Sequence, residues 1–318
     1  TVTDSSWANF QWVPDLSIYD GTGINAYRTI TEYTDLWLDE HPELIGTNLK
    51  ETLMQRNFIW YSLLKTMPTV FRDTIYNDGF YWNTNKSSKD LQATVNNYAV
   101  LDYLPRLTDF SATENTYTYI VNELTHEPAF MQAPDYTPST NITDYGEGPY
   151  SKDVDYHANI CALNKLGILF DYLKENNVYD NTRIIIVSDH AFGVSTTLFS
   201  EKYPIDAVTF NPLLFVKDFN SSGQLKISDE FMTNADVPAL SVDGLISDPI
   251  NKNTGKLISS LPKENGIIIG NAYTWSPDDQ NKNTFKIDDN QWYHLKNDIH
   301  NADNWKQISY EQAMAGDY

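Results

Sequence analysis

Apolar residues recur along this chain in several rhythms, and each rhythm predicts a different element. Between His41 and Met67, Leu44, Leu49, Leu53, Phe58, Ile59, Leu63 and Leu64 fall at mixed three- and four-residue spacings, which predicts one or two amphipathic helices ended or kinked by Pro68. From Asp155 to Asn176, Ile160, Leu163, Leu166, Leu169, Phe170 and Leu173 form one stripe and predict a single long helix, closed by Asn176-Asn177. Tyr117 to Leu124 is β-branched and aromatic, a strand pattern that runs into Thr125-His126-Glu127-Pro128, where Pro128 stops it. Arg183-Ile184-Ile185-Ile186-Val187-Ser188 is an unbroken β-branched run, the pattern of a strand covered on both faces in a parallel or mixed sheet.

The order of long helix, short turn, buried strand and polar pair is the grammar of an α/β fold, in which sites form at the carboxyl ends of strands. It places Asp189 and His190 directly at such an end. Further strands are expected at Pro212-Leu213-Leu214-Phe215-Val216 and at Gly266-Ile267-Ile268-Ile269-Gly270, and Asn234-Ala235-Asp236-Val237-Pro238 should open a short helix. Asn77-Asp78-Gly79 reads as a turn, and the Pro-, Thr- and Asp-rich stretch between Pro128 and Val154 as a long loop of the kind that covers active sites. From Thr284 to Trp305 aromatic and polar residues alternate, which suggests a small aromatic-rich antiparallel layer, with residues 265–318 as a C-terminal subdomain. The length of 318 residues suits one large α/β domain over 1–318, built on a mixed, mostly parallel sheet flanked by helices.

Composition narrows the partners. Lys and Arg number 22 against 43 Asp and Glu, a net charge of −21, so nucleic acid and broad contact with an anionic membrane surface are disfavoured. An anionic ester substrate would then need a bound cation or a few placed Lys and Arg side chains to reverse the local field. Cys161 is the single cysteine, so no internal disulfide forms, and its apolar helical setting marks a buried structural thiol. No run approaches the roughly 20 apolar residues of a membrane span. The start, Thr-Val-Thr-Asp-Ser-Ser, lacks the basic and apolar regions of a signal peptide, and without an initiating Met it reads as a trimmed or processed product.

Two sets of residues can carry chemistry. Asp189 and His190 offer a carboxylate and a neutral imidazole that can reach one ion, a donor pair suited to Zn²⁺ or Mn²⁺. The residues alone leave a second reading open, in which Asp189 caps the next helix and His190 donates to backbone. His126 falls at the same sheet edge if its strand runs parallel to the Arg183–Ser188 run; there it could contact a substrate oxyanion or donate a proton, or else serve as a loop histidine bonded to backbone. His157, His294 and His300 suit structural or exposed roles. There is no Gly-x-Ser-x-Gly elbow, phosphate-cradling Gly-rich loop or His-Glu-x-x-His helix, so serine-hydrolase, P-loop and zincin chemistry have no local support.

The sequence of pieces, Thr125-His126-Glu127-Pro128, the helix from Tyr156 through Asp171 to Lys174, then Asp180-Asn181-Thr182-Arg183 and the Ile run into Asp189-His190, resembles the sulfatase-like branch of the alkaline phosphatase superfamily. That branch includes lipoteichoic-acid synthases and phosphoglycerol and phosphoethanolamine transferases. Asn211–Lys217 and Asn234–Pro238 resemble its next strand and a late helix, and Trp292–Trp305 the tails of bacterial membrane-anchored members. The resemblance covers about Arg72 to Ile246. It implies a divalent cofactor (Mn²⁺, Zn²⁺, Mg²⁺ or Ca²⁺) held by Asp189 and His190 with earlier acidic residues, His126 beside the substrate anion, and a Thr, Ser or Cys nucleophile. It further implies a phosphoryl- or sulfuryl-ester hydrolase or transferase, membrane-anchored and extracytoplasmic or at the cell surface, acting on a lipid- or glycan-linked ester. Two departures stand out: Ala191-Phe192-Gly193 follows the pair where members have Gly at once, and the upstream strand with its nucleophile is missing. The expectation is therefore a catalytic domain lacking its nucleophile-bearing first part, inactive in isolation. The alternative is a binding or surface module of the same fold.

Overall fold

The computed structural model describes residues 8–12, 19–20, 30–42, 54, 56–77, 81, 86–126, 130–139, 142–148, 151, 154–191, 207–251, 254–260, 263–271 and 291–316. The chain divides into two compact units, one over Asp4–Tyr179 and the other comprising Asp180–Tyr318 with Thr1–Thr3. No helix among the described residues is long and apolar enough to cross a membrane.

In the first unit β1 (Ala8–Trp12) pairs with β2 (Tyr19–Asp20) antiparallel. The helices are α1 (Ile30–Glu40), α2 (Tyr61–Thr66, entered through a π turn at Arg56–Trp60), α3 (Arg72–Tyr76) and α4 (Lys86–Leu107). β3 (Thr116–Ile120) then lies parallel to β1, with Ala8 opposite Thr116 and Trp12 opposite Ile120. A hairpin of β4 (Met131–Gln132) and β5 (Thr137–Pro138) and the helix α5 (Val154–Glu175) complete the unit. Its core is α4 sandwiched with α1 and α5: Trp37 and Leu38 from α1, Leu91, Val95, Tyr98, Leu101 and Leu104 from α4, and Cys161 from α5.

Several expectations meet this structure directly. The long helix is present as α5, and Cys161 is buried within it as a free thiol. The strand expected over Tyr117–Leu124 is shorter, because the chain leaves the sheet after Ile120 to be captured by α4. Of the helical region expected between His41 and Met67, residues 43–53 lie outside the described set, and the later part of it forms the π turn and α2. The stretch between Pro128 and Val154 is not a bare loop. It folds into the β4–β5 hairpin, to which Thr143 N donates at Gln132 Oε1 (2.8 Å), while Ala133 N donates to Asp144 O (3.1 Å).

In the second unit β6 (Ile184–Val187) pairs antiparallel with β7 (Leu214–Lys217), Ile184 opposite Lys217 and Val187 opposite Leu214. Arg183 fastens the base of this ribbon: Nε and Nη2 donate to Asp218 Oδ1, while Nη1 donates to the carbonyls of Leu240 and Asp243 at the end of α6 (Val237–Val242). A second sheet, in the order β10-β9-β8, joins β8 (Ile267–Gly270), β9 (Trp292–Leu295) and β10 (Trp305–Ile308), all antiparallel. Tyr293, Leu295, Trp305 and Ile269 fill its inner face, giving the aromatic-rich C-terminal layer the alternation predicted. The helix α7 (Tyr310–Ala315) closes the chain behind a Ser309/Gln312 capping box.

The architecture is thus mixed helix and strand with small sheets. β1–β3 is the parallel pairing among the described residues, and the other strand pairs are antiparallel. The Ile run of β6 was expected to be covered on both faces. It is instead half-buried, with Val187 39% exposed and Val216 of its partner strand 48% exposed. β-branched composition reports that a segment suits a pleated backbone; it does not report how many faces are covered.

Candidate metal centre

Asp189 and His190 follow β6 without an intervening residue except Ser188, and the backbone there is pinned at both ends. Ser188 N donates to Leu213 O (3.1 Å) and Leu213 N to Ser188 Oγ (2.8 Å), while Ala191 N donates to Thr209 O (3.0 Å). Between these points Asn234 Nδ2 donates to the carbonyls of Ser188 and Asp189, each at 3.0 Å. In a strand, consecutive side chains leave on opposite faces. Here the chain bends at the strand end, and Asp189 Oδ2 comes to 3.6 Å from His190 Nε2.

Of the two readings left open by the sequence, the hydrogen bonds show the backbone one. Asp189 Oδ1 accepts from His190 N (2.9 Å), which is the backbone role. His190 Nδ1 lies 3.0 Å from the Ala191 carbonyl; a carbonyl only accepts, so Nδ1 carries a proton, and in the neutral imidazole the lone pair is then on Nε2. That is the tautomer a metal-ligating histidine needs, with the other ring nitrogen donating to a backbone carbonyl. Oδ2 and Nε2 remain as the outward-facing donors, and their side chains are 87% and 57% exposed.

The spacing of those two atoms can be compared with an ion. Donors about 2.0–2.2 Å from a tetrahedral ion are themselves about 3.3–3.6 Å apart. The observed 3.6 Å lies at the upper end of that range. Among the described residues no group of three or more His, Cys, Asp and Glu side chains converges, so the pair supplies two donors of the three or four such a site uses.

His126 belongs to the first unit, and the donor pair to the second. Its turn is built on α4. Asn97 Oδ1 accepts from Glu123 N (3.0 Å), Asn122 Nδ2 donates to Asn97 O (2.9 Å), and Leu124 N donates to Asn122 Oδ1 (3.0 Å). Leu124 is buried beneath the turn, and His126 N closes it onto Glu123 O (3.1 Å), leaving the imidazole on the exposed side. Glu127 and Pro128 beyond it, and Phe192 and Gly193 beyond the donor pair, lie outside the described residues.

The remaining histidines divide by setting. His157 is buried, its Nε2 2.7 Å from Ser151 O and its ring beside Tyr136 and Tyr145. His294 is buried with Nε2 2.6 Å from Asn265 O, and His300 is exposed. Sequence reasoning did not single out Asn234 beyond its place at a helix start. The signal that could have found it is the neighbouring Thr233-x-x-Asp236 capping box, which fixes that start.

No family model, no curated protein and no solved structure matches the chain.

Proposed function

We propose that this chain is part of a metal-dependent hydrolase or transferase acting on phosphate or sulfate esters, of the sulfatase-like kind. What supports the reading is one observation: Asp189 Oδ2 and His190 Nε2 sit 3.6 Å apart, with the imidazole tautomer set by Ala191 O so that Nε2 presents a lone pair. A carboxylate and a neutral imidazole so spaced are a donor pair suited to a divalent cation.

In this reading Asp189 and His190 hold two positions of the ion's coordination sphere. When bound, the ion supplies Lewis-acid polarisation of the ester oxygen and lowers the pKa of an attacking hydroxyl or thiol. It also supplies the local positive charge that a chain of net charge −21 needs before an anionic ester will approach. The attacking group in this reading is a Thr, Ser or Cys side chain. The whole catalytic domain would then be built on an alkaline-phosphatase-like, mostly parallel sheet, extracytoplasmic and membrane-anchored, with a lipid- or glycan-linked ester as substrate.

The test is turnover of an aryl phosphodiester and an aryl sulfate by the full-length protein with Mn²⁺ or Zn²⁺. Activity that is removed by chelation, restored by metal and lost in Asp189→Ala is the expected result. Activity of Asp189→Ala equal to that of the unaltered protein would sink the proposal.

A further inference from the structure

The turn that carries the donor pair is gripped in its middle by a side chain far away in sequence. Asn234 Nδ2 has two hydrogens, and they are matched to the carbonyls of Ser188 and Asp189 at 3.0 Å each. These carbonyls flank the peptide units whose rotation decides where the Asp189 and His190 side chains aim. The bonds to Leu213 and Thr209 hold the ends of the turn, the bonds from His190 N to Asp189 Oδ1 and from His190 Nδ1 to Ala191 O are local to it, and Asn234 is the side chain from outside the turn that holds its centre.

Asn234 is itself set by a buried network. It opens the 3-10 turn Asn234–Asp236, where Thr233 N and Thr233 Oγ1 donate to Asp236 Oδ2 at 2.7 and 3.1 Å. Asp236 is 1% exposed, and its other oxygen accepts from Lys263 Nζ at 2.7 Å. A polar group this buried and this fully bonded does not move without losing several hydrogen bonds at once, so the amide of Asn234 is presented from a fixed base.

We infer that Asn234 is a positioning residue for the Asp189–His190 pair: its amide sets the backbone rotation that brings Oδ2 and Nε2 within reach of one cation. The inference rests on the reading of that pair as metal-binding. Without the amide, the carbonyls of Ser188 and Asp189 turn to water, the two side chains sample separate directions, and the cation meets one donor at a time.

The experiment uses the chain as it is, Mn²⁺ alone as the probe, and paramagnetic broadening of the His190 ring resonances as the readout, with melting of the metal-free protein measured in parallel. Asn234→Ala and Asn234→Leu are compared with the unaltered chain; the leucine has nearly the same shape and no N–H donors. Both variants should need about tenfold more Mn²⁺ for equal broadening, at the lower end of the 10–100-fold effect of groups that orient metal ligands. Broadening curves that superimpose on the unaltered chain overturn the inference, whatever the melting temperatures do, because a purely structural brace would shift melting and not the Mn²⁺ response. Asp189→Ala separates the two ideas. If it abolishes the broadening while the Asn234 variants leave it unchanged, the positioning role alone is wrong. If His190 is never broadened, or is broadened equally in Asp189→Ala, the metal reading fails and the positioning role with it.

Discussion

Lys165 Nζ lies 2.6 Å from Asp102 Oδ1 between two packed helices, with side chains only 15% and 23% exposed. The ammonium also sits over the Tyr98 ring, 4.6 Å from its centroid, and Trp37 Nε1 donates to the other oxygen of Asp102 at 3.1 Å. Three helices therefore meet on one carboxylate. Lys165→Met keeps the stem and removes the charge, leaving Asp102 partly buried with the indole as its remaining strong donor. Breaking a fully buried pair costs about 3–5 kcal/mol, and partial exposure reduces this to about 2 kcal/mol here. Urea unfolding should show that loss, and Lys165→Met combined with Asp102→Leu should recover much of it, since both charges are then gone.

Cys161 provides a second test of the same core. It is 1% exposed, and burial pushes its thiol up to about 12, so almost no thiolate exists near neutral pH. In native protein at pH 8 a thiol reagent should leave Cys161 unmodified for as long as the first unit stays folded. In denaturant it should react at the rate of an ordinary thiol. Rapid reaction in the native state would show that α4 and α5 do not close over it.

How much of this was legible in the sequence depends on how local each cause is. α5, β6, β7 and β8 announce themselves through residues within a few positions of one another. α4, the centre of the first unit, does not, because Thr94 and Asn97 are buried alongside Val95 and Tyr98 and no apolar stripe separates from a polar face. β1 pairs along its whole length with β3, more than a hundred positions away, and short-range pattern carries no trace of that. At the site, the Asp189-His190 pair was readable as a polar pair at a strand end. The brace from Asn234 was not, since its two bonds cross 46 and 45 positions.

Gly266 should tolerate no side chain. It enters β8 at φ +80, and a Cβ built there would collide with the Leu295 carbonyl, His294 Nε2 and the Lys296 side chain. Leu295 and His294 are buried in β9 and cannot give way as a surface side chain would. Gly266→Ala therefore combines left-handed backbone strain with displacement of a central strand, together at least about 2 kcal/mol. Thermal melting of the variant should fall by several degrees. A melting temperature equal to that of the unaltered chain would show that the β8–β9 register differs from the one described.

The acid limb of the stability curve should report Asp236. Burial alone would raise its carboxyl, but the bonds from Lys263 and Thr233 outweigh this and hold it below the usual carboxylate range. A carboxyl whose folded pKa is depressed binds protons more readily when unfolded. Its contribution is therefore fully present above the unfolded value of about 3.9 and disappears as pH falls through the folded value. Between about pH 5 and pH 3 the unaltered chain should lose stability with a slope to which this group contributes, whereas Asp236→Asn, already weaker at pH 7, should show a shallower decline over the same interval. Denaturant midpoints at half-unit pH steps measure both slopes. Because Thr233 and Asp236 fix the turn that presents Asn234, the same acidification should loosen the grip on Ser188 and Asp189, and parallel acid limbs for the two proteins would contradict the assignment of Asp236 as its buried anchor.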